Sequence, residues 1–271
     1  MNVSELKNAL RKTLLLASLL PKQPQEFCDR VATALEVRWD SLRIQPPSYQ
    51  LGWWSGVIQE MERSLNTCLA DFLQEPTLRE LEQTVSRQIA TLPLDAPFHL
   101  VHNADSNLAR LCYAVCRALK PSVVVETGVA YGVTSTFILQ ALTVNAHGHL
   151  YSIDFPPLGR DADGFIGTLI PDPLKDRWSL YRGVSKRILP ALLQRLQQVD
   201  IFVHDSLHTY KNIQRELQVV TPYLVRPAVV LADDEDRNAA FLEWTGTTSP
   251  AFWTVLPEQE KSSLFGVSVL A

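Results

Sequence analysis

A strand, a glycine turn and a helix follow one another between residues 123 and 143, and this order constrains the fold more than any other feature. The strand is a valine run at 123–125 that ends at Glu126. Gly128 and Gly132 follow, and the amphipathic segment VTSTFILQALT begins directly afterwards. Glycines let the backbone turn tightly and approach a ligand, and the free N–H groups of the following helix face the same space. The segment therefore predicts a nucleotide-type cofactor site at the end of the first parallel strand.

The spacing of these glycines indicates what kind of cofactor would bind. A dinucleotide site uses the pattern G-x-G-x-x-G, in which a pyrophosphate lies on the helix N-terminus. This chain instead has E-x-G-x-x-x-G, formed by Glu126, Gly128 and Gly132. An acid at the strand end repels a pyrophosphate but attracts a cationic amino-acid group. An ordinary strand–turn–helix corner is the alternative interpretation of this segment.

A second acid follows at the distance that a ribose contact requires. The segment HLYSID predicts a strand over 149–154 that ends at Asp154. In a Rossmann-like βαβ unit, an acid about 20 residues beyond the glycine loop lies beside the ribose and accepts hydrogen bonds from its hydroxyls. A solvated acid after a strand is the alternative, and the glycine pattern upstream makes it the weaker one.

Together these residues resemble motif I and the ribose-binding acid of the class I S-adenosylmethionine (SAM) dependent methyltransferases. The resemblance implies a SAM cofactor, with Tyr131 over its methionyl part and Ser185 at its adenine. The cofactor-binding residues that it implies are Glu126, Gly128, Tyr131, Gly132, Asp154, Ser185 and Asp205.

The pattern of apolar residues divides the chain into two regions. Residues 1–95 predict helices with irregular joints, which form an accessory or lid region. Residues 96–271 alternate strands with helices, which predicts an α/β fold with a parallel sheet. The resemblance implies that this region is the methyltransferase domain, with a Rossmann-like seven-stranded class I methyltransferase sheet. The predicted strands are 122–126, 149–154, 178–182, 200–205, 227–233, 252–256 and 264–269, and the predicted helices after the first strand are 132–143, 185–198, 209–224 and 236–246. The last two strands predict a closing hairpin, as in the sheet of that family.

Acidic residues end the fourth and fifth predicted strands, which should be neighbours in the sheet. Asp205 follows the apolar strand DIFVH, and Asp233 and Asp234 follow AVVLA. Converging carboxylates repel one another without a cation, and hard oxygen ligands suit Mg²⁺ or a similar divalent ion. The alternative is that one or two of these acids cap the helices that follow, with Asp234 or Asp236 as the cap of the last helix.

A narrower resemblance comes from the segment Asp205-Ser206-Leu207-His208. Catechol-type, metal-dependent O-methyltransferases have a lysine three residues after the strand-four acid, so this chain departs from them. The D-x-x-H pattern resembles the metal-dependent sugar O-methyltransferases that act on macrolide antibiotics. The resemblance implies that His208 is the general base, since a neutral imidazole accepts a proton near neutral pH. His204 precedes the acid and should point to the opposite face.

These features predict a SAM-dependent O-methyltransferase that acts on a hydroxyl of a small molecule, for which a natural-product intermediate is one class of acceptor. The predicted metal ligands for Mg²⁺ or another divalent cation are Asp205, Asp233 and Asp234. Two alternatives stay open. One is a metal-independent O-, N- or C-methyltransferase in which His208 acts alone, and the other is a SAM-binding protein without catalysis.

Composition and charge limit the partners and the compartment. The chain has 271 residues and a net charge of −4, so its charge does not predict nucleic-acid binding. No apolar run reaches the ~18 residues that a membrane span needs. Glu5 and the lack of a small-residue cleavage motif before Pro21 argue against a signal peptide. We therefore expect a cytoplasmic protein, and the apolar stripes of the N-terminal helices also allow a homo-oligomer.

Overall fold

A seven-stranded sheet forms the centre of the molecule. The computed structural model describes residues 3–42, 46–93, 96–98, 105–159 and 161–271. The strands are β1 Val123–Thr127, β2 His149–Asp154, β3 Trp178–Arg182, β4 Val199–His204, β5 Leu224–Ala232, β6 Phe252–Pro257 and β7 Leu264–Leu270. They lie in the order β3-β2-β1-β4-β5-β7-β6. The predicted Rossmann-like α/β sheet is confirmed.

The last strand runs against the others. β1 to β5 pair in parallel, whereas β7 is antiparallel to both β5 and β6. The predicted closing hairpin is therefore present, with β7 between β5 and β6. The central strands are rich in apolar residues because helices cover both faces of the sheet. Their carboxyl ends form one open edge, which is where ligands bind to sheets of this kind.

Helices pack around the sheet and over one end of it. Their bounds are α1 Val3–Leu19, α2 Pro24–Asp40, α3 Trp54–Leu65, α4 Pro76–Ala90, α5 Ser106–Leu119, α6 Val133–Val144, α7 Ser185–Leu196, α8 Tyr210–Val220 and α9 Ala240–Thr248. α7 begins at its predicted residue and α6 begins one residue later than predicted. A short 3-10 turn at Thr221–Tyr223 extends α8 to within one residue of its predicted end.

α9 begins at Ala240 rather than at residue 236 because side chains hold the preceding segment in turns. The hydroxyl of Ser263 lies 2.6 Å from a carboxylate oxygen of Asp234 and 2.6 Å from one of Asp236. The Ala240 N–H donates instead to the side-chain oxygen of Asn238, at 3.1 Å. Neither aspartate therefore caps α9, and both face the β6–β7 hairpin.

Two N-terminal helices share the hydrophobic core of the sheet. The buried residues of α3 and α4 belong to one apolar cluster with residues of β1, β5 and β7. They are Val57, Ile58, Met61, Leu65, Leu78, Leu81 and Val85. The segment before α3 also bonds to the sheet, since the Gly52 N–H donates to the carbonyl of Val255 in β6 at 2.9 Å. We therefore expect α3 and α4 to fold together with the sheet.

α2 lies beside the open edge of the sheet and contacts it through polar groups. The Thr209 hydroxyl donates to the Glu36 carboxylate at 2.7 Å, and the Tyr210 N–H donates to Asp40 at 2.9 Å. Further ion pairs between α2 and the rest of the chain are Glu26–Arg182, Asp29–Arg187 and Glu36–Arg215. Because these contacts are polar and partly exposed, α2 is attached to the rest of the chain by ion pairs and hydrogen bonds and is not part of the apolar core.

Within the described residues, no helix combines the length and the apolar character that crossing a membrane requires. Cys112 and Cys116 lie buried on α5, and burial raises the pKa of both thiols. Both side chains therefore stay protonated and pack as small apolar groups.

Replacing Leu78 with Ala should reduce the free energy of unfolding by about 2–5 kcal/mol, because this α4 side chain is completely buried in the shared core. The same substitution at Leu35 on α2, which is 52% exposed, should change that free energy by less than about 0.5 kcal/mol. Urea denaturation followed by circular dichroism measures both. A loss below about 1 kcal/mol at Leu78 would show that α4 folds independently of the sheet.

Candidate active site at the strand ends

The carboxyl ends of β1, β4 and β5 lie side by side at the open edge of the sheet. The Asp205 N–H donates to the Thr127 carbonyl at 2.8 Å, and the Asp233 N–H donates to the His204 carbonyl at 2.8 Å. Because these bonds continue the parallel pairing of the strands, Asp205 and Asp233 begin their loops next to each other. The structure thus brings together the acids that follow the fourth and fifth strands in the sequence.

The glycine loop passes directly over the end of β4. Gly128 has a φ of +87°, and a Cβ at this position would lie 1.7 Å from the Asp205 carbonyl oxygen. No side chain fits there, so only glycine lets the two loops approach this closely. Gly132 has a φ of +89° and allows the sharp turn into α6.

Two adjoining cavities open along this edge. The larger has a volume of about 480 Å³ and is lined in part by Asp205, His208 and Asp233. The smaller has a volume of about 200 Å³ and extends to Ser185 at the start of α7. Gly128 lines both, and residues of α2 contribute to the wall of each. The larger volume falls within the range of pockets that bind small molecules.

Glu126 and Tyr131 are completely buried beside the glycine loop. The hydroxyls of Ser135 and Ser152 each donate to Glu126 at 2.7 Å, and burial raises the pKa of Glu126 to about 7. Tyr131 donates its hydroxyl to the Phe98 carbonyl at 2.7 Å, and its ring packs edge-on against that of Phe98. The structure therefore places Tyr131 in the core that supports the loop, and not over a cofactor as the resemblance implied.

Ser185 lines the smaller cavity, and Asp154 lies between two residues that line it. Asp154 accepts the Ala130 N–H at 3.1 Å, so it ties the end of β2 to the glycine loop. Burial raises the pKa of Asp154 to about 6, although the backbone N–H groups that it accepts oppose this change. Its neighbours Ile153 and Phe155 line the cavity, as does Ser185.

His208 faces the acids with one ring nitrogen. Its Nδ1 lies 3.2 Å from the main-chain carbonyl of Asp233, which can only accept a hydrogen bond, so Nδ1 carries the proton. The unprotonated Nε2 lies 3.8 Å from Asp205 Oδ1 and 3.6 Å from Asp234 Oδ2. Burial lowers the pKa of His208, against the opposing effect of the acids. The lone pair of His208 Nε2 therefore lies close to the carboxylates of Asp205 and Asp234. A cation or a transferred proton would stabilise this arrangement.

The acids and His208 form two groups of metal-ligand atoms that share Asp233. The atoms of Asp205, His208 and Asp233 lie within 4.8 Å of one another, as do those of Asp233, Asp234 and Glu258. Asp234 has a φ of +53°, so the chain turns there and both adjacent aspartates face the cluster. The predicted set of three aspartates is therefore divided between the two groups, and His208 joins the first.

Glu258 and Lys261 complete the cluster from the β6–β7 hairpin. Lys261 Nζ lies 3.5 Å from Asp233 Oδ2 and 3.5 Å from Glu258 Oε2. The Glu258 side chain is completely buried, and neither of its carboxylate oxygens accepts a hydrogen bond from the described residues. No motif in the sequence indicated these two residues. Their place beside Asp233 depends on the insertion of β7 next to β5, which is a property of the sheet and not of the local sequence.

A buried polar network supports the loop that carries Asp205 and His208. Glu216 on α8 accepts the hydroxyls of Thr127 at 2.6 Å and Ser206 at 2.9 Å, and it lies 2.7 Å from His204 Nδ1. Burial alone would raise the pKa of Glu216, but His204 and the hydroxyl donors outweigh it and lower the pKa to about 2. His204 therefore points toward α8 and belongs to this supporting network.

Replacing Glu216 with Gln should lower the free energy of unfolding at pH 7 by about 2–4 kcal/mol, because several buried donors lose a charged acceptor. The pKa of Glu216 is about 2 in the folded chain against an ordinary value of 4.5. Its stabilising effect is therefore complete above about pH 4.5 and declines as the pH falls toward 2. The stability difference between wild type and variant, from urea titrations, should shrink between about pH 5 and about pH 3. A constant difference over this range would contradict the assigned ionisation.

Comparisons with known proteins agree with this geometry. Residues 125–235, from β1 to the acids after β5, match the family model of a methyltransferase domain. The structure of an O-methyltransferase from Bacillus cereus, in complex with S-adenosylhomocysteine (SAH), superposes with a TM-score of 0.52 at 13% identity, covering 79% of this chain and 97% of that one. The SAH-bound methyltransferase PaMTH1 from Podospora anserina has a TM-score of 0.51 at 10% identity, covering 83% and 100%. A search of curated proteins gave no match.

The two solved structures establish the fold, and the family match indicates a methyltransferase domain within it. The matched segment contains the glycine loop, the acid that ends β2 and the acids that end β4 and β5. Strand order and glycine loop thus agree with the methyltransferase domain that the family model finds over residues 125–235.

Proposed function

We propose that the chain transfers the methyl group of SAM to a hydroxyl oxygen of a small molecule, with a divalent cation and with His208 as the general base. The observation that carries this proposal is the convergence of His208 Nε2 with the carboxylates of Asp205 and Asp234 in the cavity beside Gly128. An acceptor hydroxyl in this cavity would meet a proton acceptor and metal ligands next to the cofactor loop.

The two adjoining cavities supply space for SAM. The adenine would lie near Ser185 in the smaller cavity, the ribose at Asp154, and the methionyl part along Gly128 toward the larger cavity. Glu126 lies buried under the loop, and its ionised form would favour the cofactor's ammonium group. Support comes from the two neighbouring structures, both of which hold SAH. Tyr131 would act indirectly, by supporting the loop from the core.

The donor set fits a hard divalent cation. Asp205, Asp233 and Asp234 offer carboxylate oxygens, and the buried Asp233 Oδ1 has no hydrogen-bond partner among the described residues. Burial, together with the charge of Asp233, raises the pKa of Asp205, as expected for carboxylates that lack a compensating cation. Carboxylate ligands suit Mg²⁺, and the nearby imidazole of His208 also suits Mn²⁺.

His208 is oriented to take the proton of the acceptor at Nε2. The Asp233 carbonyl holds the Nδ1–H and so fixes the tautomer, while Asp205 and Asp234 would stabilise the imidazolium that forms. When bound, the divalent cation lowers the pKa of the acceptor hydroxyl, so that a neutral imidazole suffices as the base. The walls formed by α2 and the glycine loop exclude water and align the acceptor oxygen for in-line attack.

The size of the site favours a small acceptor. The cavity of about 480 Å³ has room for a small molecule such as a natural-product intermediate, whereas a protein or nucleic acid needs a wider and more open surface. The net charge of −4 also disfavours a nucleic-acid acceptor.

Self-association through the N-terminal helices stays a prediction. Several leucines on or next to α1 and α2 are exposed, and they are Leu10, Leu14, Leu20, Leu35 and Leu42. Exposed apolar residues that cluster on one region favour contact with another surface, for which a second copy of the chain is the simplest candidate.

A metal-independent methyltransferase is the second candidate, because Lys261 already places a cation among the acids. Its ammonium lies 3.5 Å from Asp233 and would offset part of the negative charge in the absence of a metal ion. In that case His208 would accept the proton without a lowered pKa of the acceptor hydroxyl. Full activity after exhaustive chelation would favour this candidate.

Replacing Asp154 with Ala should weaken SAM binding by roughly 30- to 1000-fold, or about 2–4 kcal/mol, because the ribose loses two charge-assisted hydrogen bonds. Asp154→Asn keeps an acceptor for the Ala130 N–H, so it separates support of the loop from the ribose contact. The matched control is Asp172→Ala, which removes an exposed acid paired with Lys175. Isothermal titration with SAM measures all three. Unchanged affinity in a folded Asp154→Ala variant would place the cofactor elsewhere.

Replacing His208 with Ala should reduce turnover by ~10²–10⁴-fold with SAM affinity nearly intact, the usual range for a positioned base. Asp205→Asn should instead raise the metal concentration needed for half-maximal activity, and excess Mg²⁺ should rescue this variant but not His208→Ala. Turnover is measured on an acceptor found by screening hydroxylated small molecules.

The control for the base is His147→Ala, which removes an exposed histidine bonded to Ser122 and should leave turnover unchanged. Wild-type turnover by His208→Ala would exclude this histidine as the base. Full activity of the wild-type protein in the presence of a chelator would contradict the role of the metal, and the roles of SAM and His208 would still stand.

A further inference from the structure

Lys261 is a positive group in contact with the acid cluster, and it comes from outside the motifs that define the site. Its Nζ lies 3.5 Å from Asp233 on one side and 3.5 Å from Glu258 on the other. It also lines the larger cavity, together with Asp205 and His208. The ammonium therefore lies between a buried acid behind the cavity and the acids that face it.

Acidic groups outnumber basic groups around Lys261. Four carboxyl groups, those of Asp205, Asp233, Asp234 and Glu258, lie around the Lys261 ammonium, and Arg237 in the wall of the larger cavity adds a second cation. Glu258 is completely buried and accepts no hydrogen bond from the described residues, so Lys261 is the group that compensates its charge. An uncompensated buried carboxylate is costly. The contact with Lys261 therefore stabilises Glu258 as much as it screens Asp233.

The hairpin backbone that carries Lys261 is held in place on both sides. The Gln259 and Glu260 N–H groups donate to the Asp105 carboxylate at 2.6 and 2.9 Å. On the other side, the Ser263 hydroxyl lies 2.6 Å from Asp234. The Lys261 side chain itself is 18% exposed and has four rotatable methylene bonds. The ammonium can therefore move while the hairpin stays fixed.

We propose that Lys261 is a tethered cation that competes with the divalent metal for Asp233. In the metal-free chain its ammonium is shared between Asp233 and Glu258, and it moves fully to Glu258 when a metal binds Asp233. Glu258 is then the counter-ion of Lys261 and not a metal ligand, because Asp205, His208 and Asp233 line the cavity while Glu258 lies buried behind it. The inference rests on the metal site of the proposed function.

The consequence is a metal affinity that is weaker than the carboxylates alone would give. Each divalent ion that enters must displace one positive charge from Asp233, and like charges repel strongly at such short distances. In exchange, the folded chain tolerates the acid cluster in the absence of metal.

The test is the binding of Mn²⁺ alone to the full chain, measured from the electron paramagnetic resonance signal of free Mn²⁺. Lys261→Met removes the charge and keeps most of the side-chain volume, and it should lower the dissociation constant by at least ~10-fold. Lys261→Arg keeps the charge and should stay within ~2-fold of wild type. Lys175→Met removes the charge of a distant lysine paired with Asp172 and should bind like wild type. Lys261→Gln is the second neutral variant if the Met variant does not fold, as judged by circular dichroism.

The outcomes separate this inference from the proposed function. Tighter Mn²⁺ binding by the neutral variants supports the inference. If wild type binds no Mn²⁺ but the neutral variants do, Lys261 excludes the metal, so the inference holds and metal dependence fails. If wild type binds Mn²⁺ and the neutral variants bind equally or more weakly, the inference is overturned and the metal site stands. If no variant binds, both fail.

Discussion

The close passage of the glycine loop over the end of β4 is the contact on which the site depends. A Cβ on Gly128 would lie 1.7 Å from the Asp205 carbonyl oxygen, so the two loops touch through backbone alone. This contact places the proposed cofactor site and the first acid of the cluster next to each other. The Asp205 N–H donates to the Thr127 carbonyl and the Asp233 N–H donates to the His204 carbonyl, so the ends of β1, β4 and β5 are held side by side. The proposed methyl donor, base and metal ligands can meet only because these strand ends are adjacent.

Buried acids at these strand ends fall into two electrostatic kinds. Glu216 is surrounded by donors that outweigh its burial, so its pKa is lowered to about 2 and it works as a fixed negative support for the β4 loop. Asp205 and Glu258 lack such donors, and burial followed by the charge of Asp233 raises the pKa of both. The negative charge of Glu216 is compensated by groups of the protein itself, whereas the charges of Asp205 and Glu258 require a cation for compensation. Lys261 supplies one, and the proposed metal would supply the other.

The N-terminal region combines two roles that follow from different interactions. α3 and α4 bury apolar side chains in the same cluster as β1, β5 and β7, so they contribute to the stability of the sheet. α2 is attached by ion pairs and hydrogen bonds and forms part of the wall of both cavities. α2 is therefore attached mainly through polar contacts, with Glu26 and Asp29 buried against the rest of the chain.

Local patterns in the sequence were sufficient to predict the positions of the strands, the glycine loop, and the meeting of the acids that follow the fourth and fifth strands. The reason is that the carboxyl ends of parallel strands share one edge, so a residue that follows a strand has a known place. Packing between distant segments decided the rest. Tyr131 lies in the core because Phe98 receives its ring and its hydroxyl. Glu258 and Lys261 reach the acids because β7 runs antiparallel beside β5 and brings its hairpin to the open edge. A local sequence pattern does not indicate which distant segments pack together, so these contacts are determined only by the tertiary structure.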